Sequence, residues 1–242
     1  MTQSAVFSRS AVLVSHGSPS DPPEQEAALA DLAARVSERL DDWEVGSATL
    51  ADKGRLESEV ARLGSPVIYP FFMARGWFTG QVLAKKARAM GLRMLEPFGV
   101  EPDLAVSARR ELGALLDQHG WEASQTGLIV AAHGSNVSRT SADSAYAFAR
   151  TLQSAMGFTT TRTGFIEQPP FLKDVAQGMG QAVCLPYFAQ QSGHMEDDVP
   201  AALAAAGFDG PMLPAFMSWS DTPRLIASSI ARQGAEATVP GA

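Results

Sequence analysis

One cysteine, Cys184, stands among 242 residues. A lone thiol excludes an intrachain disulfide and any cysteine cage for zinc or an iron–sulfur cluster. It falls in the apolar run "AVCLPYF", which predicts a buried, inert thiol. Cationic side chains are also few. Lys and Arg number 19 against 26 Asp and Glu, a formal net charge of −7. That balance argues against a general nucleic-acid surface, while leaving room for a local basic pocket. No apolar run reaches the length of a membrane span, and "MTQSAVFSRSAVLVS" lacks the apolar core of a secretory leader. The expectation is a cytoplasmic chain with no nucleic-acid or membrane partner. No P-loop glycine pattern occurs, so neither ATP nor another organic cofactor is expected.

What is present is a globular composition, 45% hydrophobic and 19% charged. The length suits one large α/β domain or two small ones. Short runs rich in branched residues, such as "SAVLVS" and "PVIYPFF", are bounded by turn residues and read as buried parallel strands. Stretches with helical apolar spacing follow them, as in "PEQEAALADLAARVSERL". "LRMLEPF" reads as a fourth strand, and "PDLAVSARRELGALLDQHG" as the helix after it. Then the plan repeats. "GLIVAAHGSN" resembles "AVLVSHGSP", with His16 and His133 shifted by 117 residues, while Pro70 and Pro186 are shifted by 116. Two features at nearly one offset indicate an internal duplication. The expected fold is α/β, with two similar three-layer lobes, residues 1–122 and 123–242. Each is a mainly four-stranded parallel sheet flanked by helices. Ligands of such sheets bind beyond the carboxyl ends of the strands, and in a duplicated pair those ends can face one cleft.

The chemistry-bearing residues fall at those ends. His16 and His133 each follow an apolar strand and precede Gly-Ser, a turn that brings backbone close to a ligand. For one copy alone a polar turn is the plainer reading; the repetition favours chemistry at His133. Glu167 ends the strand "TGFIE", where a carboxylate is often merely solvated. His194 lies in the loop "SGHMEDDVP", where nothing local requires a core histidine. The acids beside it suit the start of the next helix, with Asp198 as its N-cap. His119, before Gly120, reads as a helix-end residue. When the copies are aligned, Glu167 faces Ala51 and His194 faces Trp77. The second copy alone keeps two imidazoles and a carboxylate, a set suited to a divalent first-row metal. No compact motif such as H-E-x-x-H is present, so the ligands would come from three strand ends.

The ordered set "LVSHGSP", "VAAHGSN", "GFIEQPP" and "LPYFAQQSGHMEDDVP" resembles the sirohydrochlorin chelatases of the class II chelatase superfamily. These enzymes insert cobalt or iron in cobalamin and sirohaem synthesis. The resemblance spans most of both halves and is to the double-length, two-lobe form. It implies that His133 and His194 bind the metal and receive pyrrole protons, and that Glu167 assists metal handling. It matches His16 to the first-lobe histidine, here without partners. Trp77, with Ala51, would form a wall for the flat macrocycle. Ser135, Arg139 and Ser192, with Arg75 and Lys173, are candidates to hold its carboxylates. The metal, Co2+ first and Fe2+ or Ni2+ next, would be a substrate. The partner would be a small-molecule tetrapyrrole, and the chain a monomer with pseudo-twofold lobes. Two rivals stand beside this reading. One is a non-catalytic metal or tetrapyrrole carrier, and the other a phosphate-binding α/β enzyme whose HGS loops cradle anions.

Overall fold

Arg9–Ser15 forms the first strand, β1, and its residues from Ala11 onward are fully enclosed. The structure, a computed structural model, describes residues 9–17, 22–135, 139–191 and 193–235. Helix α1 (Pro22–Ser37) leads to β2 (Trp43–Thr49), and α2 (Arg55–Leu63) to β3 (Val67–Pro70). A π-helical turn, Phe78–Leu83, then runs into α3 (Ala84–Ala89), with α4 (Leu104–His119) beyond it. The sheet is parallel, in the order β2-β1-β3. The second half repeats this. Strands β4 (Gly127–Ala132), β5 (Thr160–Phe165) and β6 (Ala182–Pro186) form a parallel sheet of order β5-β4-β6. Helices α5 (Thr140–Met156), α6 (Leu172–Ala176), α7 (Val199–Ala205) and α8 (Thr222–Ala235) complete the chain.

The central strands show why they read as continuous apolar runs: both faces are covered. Alternate residues Val12 and Val14 pack with Leu56 of α2, Leu83 of the π-turn and Ala87 of α3. In the second half Ile129 and Ala131 pack with Leu172, Ala176, Cys184, Val199 and Leu203. Burying a side chain such as Leu13 completely contributes about 1.5–3 kcal/mol. Cys184 is buried as expected, and desolvation pushes its thiol above the ordinary range. Among the described residues no helix is long and apolar enough to cross a membrane.

The expected fourth strand is reduced to a bridge in each half. Met94 pairs with Ile68, and Met212 with Cys184. Proline explains the shortness. Pro97 follows Met94 by three residues, while Pro211 and Pro214 flank Met212, and none of them has an N–H to extend the ladder.

By packing, the chain divides into one unit of residues 1–101 with 220–242 and another of 102–219. The repeat boundary near residue 122 is a division of the sequence; the packing division falls elsewhere because two helices change sides. Helix α4 buries Leu104, Ala108, Leu112 and Leu116 and packs with α5 in the second unit. Helix α8 packs with α1 in the first. A buried polar knot holds α8 there. Glu101 accepts hydrogen bonds from the Tyr69 hydroxyl (3.3 Å), the Arg232 guanidinium (2.8 Å) and the Ser229 hydroxyl.

Candidate functional site

In each unit the backbone pairing continues two residues past the edge strand, β2 or β5, and one residue past the central strand. The Leu50 N–H donates to the Ser15 carbonyl at 2.9 Å and the Ala51 N–H to the His16 carbonyl at 3.0 Å. In the second unit the Ile166 N–H donates to Ala132 at 3.1 Å and the Glu167 N–H to His133 at 2.9 Å. Glu167 therefore stands to His133 as Ala51 stands to His16, the correspondence expected from the repeat. The chain turns sharply after each histidine. Gly17 has φ 73° and Gly134 φ 78°, in the left-handed region. A β-carbon would lie 2.7 Å from Thr49 Cβ at Gly17 and 2.7 Å from Gln168 Cγ at Gly134. Gln168 closes the second turn by accepting the Ser135 N–H at 2.7 Å.

This turn orients both imidazoles alike. His16 Nδ1 lies 2.8 Å from the Gly17 carbonyl oxygen, and His133 Nδ1 lies 3.0 Å from that of Gly134. A carbonyl oxygen only accepts, so in the neutral form of either ring this contact places the proton on Nδ1 and the lone pair on Nε2. That is the tautomer a metal-ligating or proton-accepting histidine uses, with its other nitrogen fixed by a backbone carbonyl. His16 is exposed, His133 half-buried and Glu167 exposed.

The loop after β6 begins with the Tyr187 N–H donating to the Ala131 carbonyl at 2.6 Å. His194 opens a π-helical turn, His194–Asp198, that runs straight into α7. Met195 and Val199 anchor the turn in the core. Single π-turns of this kind recur at functional sites. The side chain of His194 and the whole of Ser192 lie outside the described residues. Among the described residues no three His, Cys, Asp or Glu side chains converge on one point. The structure thus brings His133 and Glu167 together through adjacent strand ends, and places the His194 backbone in the loop after the third strand.

Two sequence expectations change here. Asp198 makes no side-chain cap hydrogen bond, because its backbone is already helical (φ −72°, ψ −41°) and continues the π-turn. The counterpart of His194 is Phe78 rather than Trp77. Phe78 and His194 each open a π-turn, and each lies eight residues after the last strand residue, Pro70 or Pro186. Trp77 is 54% exposed beside it. Of the basic candidates, Arg139 is exposed at the start of α5 and Lys173 is exposed on α6. Arg75 donates to Glu96 at 2.7 Å, which raises its pKa and already satisfies part of its charge. Sequence reasoning missed Gln168 and Glu26. The Glu26 carboxylate accepts the Thr49 N–H at 2.9 Å and Arg55 Nε at 3.2 Å, and so buttresses the end of β2. A carboxamide and a carboxylate in loop and helix carry no local signal of such reach.

Known structures share this architecture. The chain matches a sirohydrochlorin chelatase, SirB from Bacillus subtilis subspecies spizizenii in complex with cobalt, with a TM-score of 0.68 and 14% identity, covering 95% of this chain and 97% of that one. It matches a multi-domain protein of Deinococcus radiodurans, described as structurally similar to chelatases, with a TM-score of 0.72 and 19% identity, covering 94% of this chain and 55% of that one. The fold is therefore that of the chelatases. A closer likeness is to CbiX, described as the terminal enzyme for biosynthesis of siroheme in denitrifying bacteria. Its identity is 38% and its TM-score 0.85, covering 96% of this chain and 100% of that one. The CbiX family model matches residues 127–218. No curated protein sequence matches the chain. The chain belongs to the CbiX family, within the class II chelatases.

Proposed function

We propose that this chain inserts a divalent metal into sirohydrochlorin, with Co2+ the preferred substrate ion and Fe2+ next. One observation carries the assignment of the working half: His133 and Glu167 are bonded neighbours at the ends of β4 and β5, within the segment matched by the CbiX family model. The first unit has the same backbone device with alanine in place of the carboxylate.

Insertion replaces two pyrrole N–H protons by one M2+, so the site must take up an ion, shed its water and remove protons. His133, with Nε2 basic, and His194 share these tasks, and Glu167 adds the negative charge that draws in the ion. Imidazoles and one carboxylate ligate first-row ions at intermediate strength, which allows release into the macrocycle. Ser135, Arg139 and Ser192 hold the carboxylates of the tetrapyrrole. On the first unit, Trp77 offers an aromatic face and His16 an imidazole to the same class of ligand. Two repeats in one chain supply both units, and the chain works as a monomer; sedimentation checks that state.

The test is absorbance of sirohydrochlorin mixed with Co2+, Fe2+ or Ni2+ and catalytic amounts of protein. Conversion of many equivalents supports the enzyme. Arrest at one equivalent would make the chain a carrier.

A further inference from the structure

The first unit keeps one residue of the three-member set proposed for the second. His16 retains the Gly17 turn and the Nδ1–carbonyl contact that orient a ligating imidazole. It is exposed, and among the described residues its Nε2 has no hydrogen-bond partner. Its two expected co-ligands are gone. Ala51 occupies the place of the carboxylate and Phe78 that of the second imidazole. The replacement is aromatic and organised. The Phe78 ring meets His16 edge to face, with centroids 4.3 Å apart. It lies nearly parallel to Phe72 (19°, 6.5 Å), and Trp77 meets it edge-on at 5.1 Å. Phe78 is 38% and Trp77 54% exposed, so this aromatic patch faces outward beside the imidazole.

A single neutral imidazole is a poor trap for a hydrated ion, since it replaces one water and adds no charge. A metal already inside a tetrapyrrole is a different ligand. Four nitrogens are supplied by the ring, and what the ion lacks is one axial donor beside an apolar surface for the macrocycle. Those are the two things this patch contains. We infer that His16 is the axial ligand of an already metallated tetrapyrrole, so that the first unit receives the product-type macrocycle rather than the free ion. The inference rests on the reading that this chain handles tetrapyrroles, and it gives the first-unit histidine a role distinct from that of His133. The step is coordination alone: one Nε2–metal bond forms, displacing at most a water, with no proton or electron transferred.

The probe is preformed Co(II)-sirohydrochlorin, added without free cobalt to the full-length H133A/H194A variant. Electron paramagnetic resonance of the bound Co(II) reports an axial nitrogen through its superhyperfine splitting. The expected result is nitrogen splitting and saturable binding in that variant. Adding His16→Ala should abolish the splitting and weaken binding by about tenfold or more, the scale on which metal sites respond to loss of support. Imidazole added to the H16A protein should restore the splitting, which separates loss of a ligand from loss of fold. Splitting that persists without His16, or that is absent while His16 is intact, overturns the inference. Because the probe is already metallated, these outcomes are independent of insertion. Wild-type turnover without His16-dependent splitting refutes only this inference, and splitting without wild-type turnover refutes only the insertion reading.

Discussion

The Glu167 backbone N–H donates to the His133 carbonyl at 2.9 Å, and this bond sets a carboxylate-bearing residue and an imidazole-bearing residue on neighbouring strand ends. Their register is fixed by the sheet rather than by the loops. Glu167→Gln should therefore remove charge without moving backbone. We expect insertion to slow by about 10²- to 10⁴-fold, the usual range for a positioned ionisable group. Stability should change by no more than about 0.5 kcal/mol, because the side chain is exposed. Initial rates of Co2+ insertion and a thermal melt check both halves. A full rate in this variant would remove Glu167 from metal handling.

Gly134→Ala tests the turn that orients His133. The left-handed φ disfavours any β-carbon, and here the new atom also meets Gln168, which holds the Ser135 N–H. A loss of about 1–3 kcal/mol is expected from the backbone alone. Insertion should fall further than stability does, since the imidazole loses its fixed carbonyl partner. Urea midpoints paired with rates would show this; an unchanged midpoint would mean that the turn relaxes freely.

Much of this was legible in the sequence. "SAVLVS" and "GLIVAA" read as central strands because burial on both faces leaves a continuous apolar run. The pairing of Glu167 with Ala51 across the repeat also held, since strand register follows a two-residue period. The π-turns were not legible. Their hydrogen bonds leave no periodic signature in so short a stretch, and the equivalence slipped by one, from Phe78 to Trp77. The exchange of α4 and α8 was hidden for another reason: sequence order fixes which helix follows which strand, while packing partners depend on Glu101, Tyr69 and Ser229, far apart in the chain. The fourth strands looked apolar enough, but proline prevents the ladder from growing.

Glu101→Ala tests the knot that fastens α8. Glu101 is 7% exposed and accepts three donors, from Tyr69, Ser229 and Arg232. Breaking a fully buried ion pair costs about 3–5 kcal/mol. Here the Arg232 side chain is 49% exposed and regains water, so a loss of about 1–3 kcal/mol is expected, mainly from the stranded hydroxyls. Glu101→Gln should cost less, since an amide oxygen still accepts. Equal losses in the two variants, measured by urea denaturation, would show that charge rather than hydrogen bonding holds the helix.

The buried phenols predict an alkaline limit to stability. Burial pushes Tyr69 well above the ordinary value near 10, with the Glu101 charge adding to it, and burial alone raises Tyr187. A raised folded value means that the native state favours the neutral phenol. The stability this confers is complete below about pH 10 and is lost as pH rises from there toward the folded value, because the unfolded chain gives up its protons first. Each group should contribute a slope of about 1.4 kcal/mol per pH unit in that window. Urea midpoints at pH 9, 10 and 11 (roughly spanning the onset) should fall with increasing steepness. The Tyr69→Phe and Tyr187→Phe variants should each flatten the fall, apart from any constant offset at about pH 9. A slope identical to wild type in both variants would place the alkaline transition elsewhere in the chain.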